Sequence, residues 1–349
     1  MKIVIIQNTN KEFWPAFKVS KDHINAIKST FPKASVSVVD DTYARKGTPF
    51  EAEIIITTPF FLETLSTVIL RTKSEGSPTN VGTDIKSEIL RGVYTERSER
   101  AQNDKLKWIH LTSAGVDRLP QKFRDSDVLV TNSSGVHPIP ISEHVFSFIL
   151  MFARGIHISF RHQIEKGEWE RNFQKFNVAE LPDQTIGIVG YGNIGKEVGR
   201  LARLFRMKIL VVTSKNGNLN DLLKSSDYVV NCLPLTSNTL HFFDRTKLSK
   251  MKNSAFFINI GRGKTVDEKA LIDTLKSGKI AGAGLDVTEV EPLPKSSPLW
   301  KLDNVILTPH YSGWTPHYMD RVIEIFCKNL KAYLKGQKLP NLVDKKRGY

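Results

Sequence analysis

The chain has 349 residues, 40% hydrophobic and 25% charged, with a formal net charge of +14. That length exceeds one ordinary core and points to two domains of globular composition. No apolar run reaches the roughly 18 residues of a membrane span, which excludes a membrane partner. Cys232 and Cys327 have no metal or redox spacing, and Met1 runs almost directly into a strand-like segment. No room is left for a leader, so a cytoplasmic location is expected. Much of the positive surplus lies near the end, at Lys331, Lys335, Lys338, Lys345, Lys346 and Arg347. No helix-turn-helix, zinc-finger or RNA-recognition pattern accompanies it. It reads as a solvated face and tail, or a field that draws in anionic substrates, in preference to a nucleic-acid surface.

In chain order, Lys2 to Ile6, Val36 to Val39, Glu53 to Thr57, Lys107 to Leu111 and Val128 to Thr131 predict strands, with a helix at Lys21 to Thr30. The alternation predicts a doubly wound unit. Arg71 to Asp104 is too polar to bury a face and predicts an inserted surface loop, with a short helix near Ile85 to Val93. Pro138 to Gly155 predicts a long helix carrying Ile141, Val145, Phe146, Phe148, Ile149, Leu150 and Phe152. It is apolar on more than one face, and a two-fold homodimer contact is the simplest use for the surplus face.

The second series opens with Thr185 to Val189, followed by Gly190-Tyr191-Gly192-Asn193-Ile194-Gly195 and a helix from Lys196 to Arg206. Val198, Leu201, Ala202 and Phe205 give that helix its inner face. Order matters more than the glycines. In a strand–turn–helix setting Gly190 makes the turn, Gly192 admits a pyrophosphate, and Gly195 packs helix on strand. The helix start then suits a dinucleotide phosphate. Further strands are predicted at Lys208 to Val212, Tyr228 to Cys232, Ala255 to Ile260, Gly282 to Asp286 and Val305 to Thr308, with helices at Lys269 to Ser277 and Asp320 to Leu334. The fold class is thus α/β, two doubly wound Rossmann-like domains. Residues 1–132 and 312–349 form a discontinuous outer domain around a dinucleotide domain of 133–311, with a cleft where they meet.

Three motifs follow at later strand ends, where ligands bind in open α/β sheets. Gly261-Arg262-Gly263 offers a forked donor for a carboxylate. Asp286 and Glu291 follow an apolar strand, and His310 stands between Pro309 and Tyr311. Each alone has a plain structural reading: a surface arginine in a tight turn, a cap or solvated loop, a satisfied histidine. Together on one nucleotide-binding sheet they point to chemistry.

With these motifs the chain resembles the D-2-hydroxyacid dehydrogenase family over nearly its whole length. The resemblance runs from Ser113-Ala114-Gly115-Val116-Asp117 through Asn132-Ser133-Ser134-Gly135-Val136-His137 to the His310 motif. Glu291-Pro292-Leu293-Pro294 and Ser297-Pro298-Leu299-Trp300 look especially like the glyoxylate and hydroxypyruvate reductase branch. It implies that Arg262 binds the substrate carboxylate and keto oxygen, that His310 is the acid–base, and that Glu291 is its partner. It also implies that Asp286 contacts the nicotinamide carboxamide, that Leu233, Pro234 and Ile260 line the cofactor site, and that the Ser113 to Val116 backbone holds the substrate carboxylate. Two departures are the 71–104 insertion and Trp314 after the histidine motif. The residues fit the chemistry independently, because a histidine beside a carboxylate can deliver a proton near neutral pH while an arginine compensates charge on the carbonyl oxygen. Glu291 also separates the chain from formate dehydrogenases, which resemble the family but carry Gln opposite the histidine.

An NAD site of this kind places an acidic residue about 20 residues past the first glycine. Here Thr213, Ser214 and Lys215 stand there. Without a carboxylate to repel a 2′-phosphate, NADP is preferred over NAD; the alternative is a permissive site with Lys215 solvated. The expected activity is NAD(P)H-dependent reduction of a small 2-oxo acid, with a side-chain pocket involving Phe60, Phe61 and Trp314. The rival, from another class, is a nicotinamide-sensing interaction protein of the corepressor type.

Overall fold

The computed structural model describes residues 1–7, 15–40, 52–58, 106–167, 169 and 178–347. The expected insertion at 71–104, its short helix, and Phe60 and Phe61 lie outside these residues. Two compact units are present, Met1–Val136 with Thr315–Tyr349, and His137–Trp314. The sequence reading put the same borders at 132/133 and 311/312.

In the first unit, β1 (Lys2–Gln7), β2 (Ser35–Asp40), β3 (Ile54–Thr57), β4 (Trp108–Leu111) and β5 (Leu129–Thr131) form one sheet in the order β2-β1-β3-β4-β5. All its pairings are parallel. Buried on both faces, the strands β1, β3 and β4 read as apolar runs such as Ile54-Ile55-Ile56. Helix α1 (Lys21–Thr30) starts at Ser20, whose hydroxyl accepts from His23 N–H while the His23 ring accepts from Ser20 N–H. The C-terminal helix, Tyr318–Leu334, returns to this unit and stacks Phe326 on Trp108 at 5.1 Å. The chain beyond it is docked at Val343 and Lys345, while Lys331, Lys335, Lys338, Lys346 and Arg347 are exposed, as the solvated reading expects. Val343 N–H bonds to Val130 C=O, and Lys345 Nζ donates to the Ser126 and Val128 carbonyls at 2.6 and 2.7 Å.

The second unit is a six-stranded parallel sheet ordered β11-β10-β9-β8-β6-β7. Its strands are β6 (Thr185–Val189), β7 (Lys208–Val212), β8 (Tyr228–Asn231), β9 (Phe256–Asn259), β10 (Gly282–Leu285) and β11 (Val305–Leu307). The order reverses at β6, and a reversal of this kind opens a crevice at the strand ends. The helix Pro138–Ala153 packs across this sheet with Ile141, Val145, Phe146, Phe148, Ile149 and Phe152 all buried. Most of its apolar surface is therefore covered inside its own unit, while Leu150 is half-buried and Ile139 is 46% exposed. Gly155, at φ +64°, ends the run and starts a second helix, Ile156–Glu165, which has no buried residue. No single described helix is long and apolar enough to cross a membrane.

Gly284 shows how closely the long helix seats. A Cβ there would meet the Phe148 ring at 2.7 Å. Phe148→Ala should leave a cavity under β10 and cost about 3–5 kcal/mol, read as a lower urea midpoint for this unit at an unchanged slope.

Candidate active site

The glycine turn is built by close approach. Gly190 has φ +94°, and a Cβ there would meet the Cys232 backbone at 3.0 Å. A Cβ on Gly195 would collide with the Gly190 carbonyl oxygen, whereas one on Gly192 would meet nothing within 4 Å. Only the middle glycine thus faces open space, as a backbone that must admit a ligand requires. The helix Asn193–Leu204 begins on Gly192, which has no side chain to cap the first-turn N–H groups. Val198 and Ala202 are buried as expected. Leu201 is half-buried, and Phe205 lies past the helix end, stacked on Phe146 at 4.9 Å. Tyr191 packs its hydroxyl over Gly199. These features fit a dinucleotide phosphate at the turn.

After β7 the chain folds into a tight turn. The Thr213 hydroxyl accepts from the N–H groups of Lys215 and Asn216 at 3.2 and 3.0 Å, and Thr213 N–H bonds back to Asn216 C=O at 2.8 Å. Ser214 and Lys215 are exposed at its tip.

Arg262 is placed by a buried network that sequence reasoning missed. Asn231, at the end of β8, donates to Asn259 Oδ1 at 3.0 Å and to Thr265 Oγ1 at 2.7 Å. Asn231 Oδ1 accepts from Leu233 N–H, Asn259 Oδ1 accepts from Gly261 N–H, and Thr265 donates to the Arg262 carbonyl at 2.6 Å. The side chains thereby pin the loops that carry Leu233, Pro234 and Ile260. The glycines around Arg262 also have a different cause from the one expected. A Cβ on Gly261 would meet the Leu233 carbonyl oxygen at 2.6 Å, and one on Gly263 would collide with the Thr288 carbonyl. They let backbones touch; they do not uncover the arginine. Arg262 itself is half-buried and donates to Gly261 C=O at 2.9 Å.

His310 and Glu291 meet. His310 Nδ1 lies 2.8 Å from Glu291 Oε2, and Glu291 Oε1 accepts from Thr288 N–H at 3.2 Å. His310 takes φ +53°, uncommon for a side-chain-bearing residue. Its N–H donates to the Asp286 and Thr308 carbonyls at 2.9 and 3.0 Å. Asp286 is 2% exposed, and its carboxylate accepts from Thr308 Oγ1 and from the N–H groups of Tyr311 and Ser312. Trp314 closes this loop with its N–H on Tyr311 C=O and stays exposed.

The hydrogen bond to Glu291 raises the His310 pKa above its usual 6.5; burial opposes the rise, and the charges of Glu291 and Asp286 add to it. For Glu291, burial favours the neutral acid, yet the His310 hydrogen bond and charge, the Thr288 N–H and the Arg262 charge together lower its pKa. The Arg262 charge therefore reaches both members of the pair.

In the first unit the Ser113 to Val116 turn follows β4. Its carbonyls accept from inside: Ser113 C=O from Ser133 N–H, Ala114 C=O from Asn132 Nδ2, and Gly115 C=O from Ser113 Oγ. Beneath it lies His110, fully buried, whose pKa burial pushes down to about 3. Ser133 gives its hydroxyl proton to Leu111 C=O at 2.8 Å, so at 3.2 Å it accepts from His110 Nε2–H. His110 Nδ1 then accepts from Thr131 Oγ1 at 2.7 Å. A lone histidine inside an apolar strand carried no such signal in the sequence.

The raised pKa at His310 and the depressed one at Glu291 define a window. Above Glu291's pKa and below that of His310 the pair is charged and stabilises the fold. The contribution fades as pH rises through the raised His310 pKa, and again as acid protonates Glu291. In a ¹H–¹⁵N titration His310 should report a midpoint above 6.5, and Glu291→Gln should lower it; coincident midpoints would separate the two residues.

The description "D-isomer specific 2-hydroxyacid dehydrogenase, NAD binding domain" matches residues 146–312. The glyoxylate reductase of Pyrococcus furiosus is 38% identical over 235 residues, covering 62% of this chain and 69% of that protein. Among solved structures, a D-isomer specific 2-hydroxyacid dehydrogenase family protein from Aeromonas salmonicida superposes with a TM-score of 0.73 at 26% identity, covering 99% of each chain. The D-isomer specific 2-hydroxyacid dehydrogenase of Xanthobacter autotrophicus, solved with NADPH and MES, gives 0.71 at 25% identity, covering 99% of this chain and 100% of that one. With a dinucleotide turn, an arginine and a histidine–glutamate pair on one sheet, and with relatives of this kind, the chain belongs to the D-2-hydroxyacid dehydrogenase family, NAD(P)-dependent oxidoreductases.

Proposed function

We propose that the protein reduces a small 2-oxo acid of the glyoxylate or hydroxypyruvate type to its D-2-hydroxy acid, with NADPH preferred. The observation that carries this reading is the His310–Glu291 contact of 2.8 Å with the Arg262 charge beside it. Bound NAD(P)H supplies the hydride that the carbonyl carbon accepts. His310 supplies the proton. Its Nδ1 is committed to Glu291, so Nε2 is the atom that delivers to the carbonyl oxygen. With half its side chain exposed, the ring regains a proton from water after turnover. Arg262 offsets charge developing on that oxygen and orients the carboxylate. The Ser113 to Val116 turn, its carbonyls held inward by its own unit, has backbone N–H groups of the kind that bind a carboxylate. Asp286 keeps an acceptor position on Oδ2 for the nicotinamide carboxamide. Gly190, Tyr191, Gly192, Asn193, Ile194 and Gly195 hold the pyrophosphate, with Leu233, Pro234 and Ile260 along the crevice. The intact acid–base pair favours an enzyme over a sensing module.

The homodimer contact expected at the 138–155 helix is extended here onto the adjoining helix Ile156–Glu165. Ile156, Phe160 and Ile164, spaced by four, are 48%, 57% and 68% exposed and form one apolar stripe. Phe160→Asp should shift the protein from dimer to monomer in light scattering, and a wild type that is already monomeric at high concentration overturns this contact.

The cofactor preference rests on the Thr213 turn. No carboxylate accepts there, and Lys215 lies exposed at its tip. Lys215→Ala should cost about 1.5–3 kcal/mol of NADPH affinity and leave NADH binding nearly unchanged. Thr213→Asp can accept the same two N–H groups, so it adds charge without opening the turn, and kcat/KM should swing toward NADH. A wild type that favours NADH overturns the preference.

Replacing His310 by Asn should preserve cofactor binding while lowering turnover of glyoxylate by roughly 10²–10⁴-fold. Near-normal turnover removes His310 from the chemistry.

A further inference from the structure

Asp286, Thr308 and the His310 turn are tied to a residue from a distant part of the chain. His144 projects from the helix Pro138–Ala153, and its Nε2 lies 3.0 Å from Thr308 Oγ1. The direction of that bond is determined by chemistry. Thr308 Oγ1 stands 2.7 Å from Asp286 Oδ1, and an ionised carboxylate only accepts. The hydroxyl proton is therefore spent on Asp286, and His144 must donate. His144 is held as the tautomer with hydrogen on Nε2, and a directed chain runs from imidazole N–H through hydroxyl to carboxylate. Each bond in such a chain strengthens the next.

The carboxylate at its end shapes the turn. Asp286 Oδ1 accepts Tyr311 N–H at 3.1 Å, and Oδ2 accepts Ser312 N–H at 3.1 Å. These are the two residues after His310, whose left-handed backbone persists only where its surroundings determine it from several sides. The His144 ring is itself boxed, edge-on to Phe148 at 4.7 Å and to Tyr311 at 5.4 Å. It sits 3.9 Å from Asp286 Oδ1, near enough to be an ion pair when protonated.

We propose that His144 is a positioning residue: its Nε2–H orients Thr308 and, through it, the Asp286 carboxylate that sets the His310 backbone for proton delivery. This rests on the reading of His310 as proton donor. The packing alternative, in which the ring merely fills space, makes a different forecast for variants that keep the shape.

The experiment compares His144→Phe, which keeps a ring and loses the donor, with His144→Gln, which keeps an N–H donor, and with Thr308→Val. With glyoxylate and saturating cofactor, kcat should fall about 10- to 100-fold in His144→Phe and Thr308→Val, as for a small misplacement of the reacting group. His144→Gln, which restores a donor, should recover most of the loss. The double variant His144→Phe/Thr308→Val should be no slower than the worse single variant. Multiplying losses, or a lower melting temperature with kcat intact, overturns the proposal in favour of packing. A second measurement on the wild type needs no variant to fold: ¹⁵N shifts should show His144 protonated at Nε2 and bare at Nδ1, and the opposite tautomer overturns the chain. If the wild type turns over no 2-oxo acid, the proposed function falls. If it does while His144→Phe is unaffected, only this inference falls.

Discussion

A carboxylate that is 2% exposed constrains the ends of β10 and β11 in the second unit. An ion taken that far out of water costs several kcal/mol unless its lone pairs are met. Asp286 is met by Thr308 and by the backbone of Tyr311 and Ser312, all from the loop after β11. Satisfying the charge therefore requires this loop to fold back over the end of β10. His310 N–H, bonded to the Asp286 carbonyl, is drawn to the same place. Its side chain then reaches Glu291, five residues beyond Asp286 in the sequence. One buried acid and one half-exposed acid differ in what they hold: Asp286 fixes a backbone, and Glu291 accepts the His310 ring.

The other half of the site is organised without charge. Asn231, Asn259 and Thr265 are fully buried and joined by amide and hydroxyl hydrogen bonds. Asn231 and Asn259 stand where β8 and β9 end and Thr265 on the turn after Arg262, so their side chains take over from the ladder. Buried polar groups of this kind favour a unique arrangement when every member is satisfied. Arg262 is thus carried by a loop with little freedom, with glycines on both sides because the Leu233 and Thr288 backbones leave no room for a Cβ.

What was legible in the sequence followed periodicity and turn chemistry. The strands of both sheets emerged from their apolar runs, and the glycine turn from its place between strand and helix. The individual side chains at the strand ends, Arg262, Glu291 and His310, were visible as chemically unusual residues at positions where ligands bind. Asn231, Asn259, Thr265, His110 and His144 were not, because a polar residue inside an apolar segment looks the same whether it is satisfied or exposed until its distant partner is known. His144 and Thr308 are 164 residues apart. The long helix Pro138–Ala153 was legible as an element, but what covers each of its faces was not. Apolar residues on several faces show that a helix is surrounded, but not whether its own sheet or a second copy surrounds it.

The turn after β7 keeps its shape without an acidic side chain. In many sites of this class an acidic side chain both shapes the turn and reads the ribose. Here the shaping falls to Thr213, whose hydroxyl accepts the N–H groups of Lys215 and Asn216. Gly217 at φ +100° packs against the Val211 carbonyl and lets the chain leave toward the Asn218 cap of the next helix. A neutral acceptor supports the same backbone that an aspartate supports, because the two N–H groups need an oxygen and not a charge. Ser214 and Lys215, at the solvent-facing tip, give the turn its electrostatic character. Neither residue contributes to the core, so substituting them demands no repacking of the sheet.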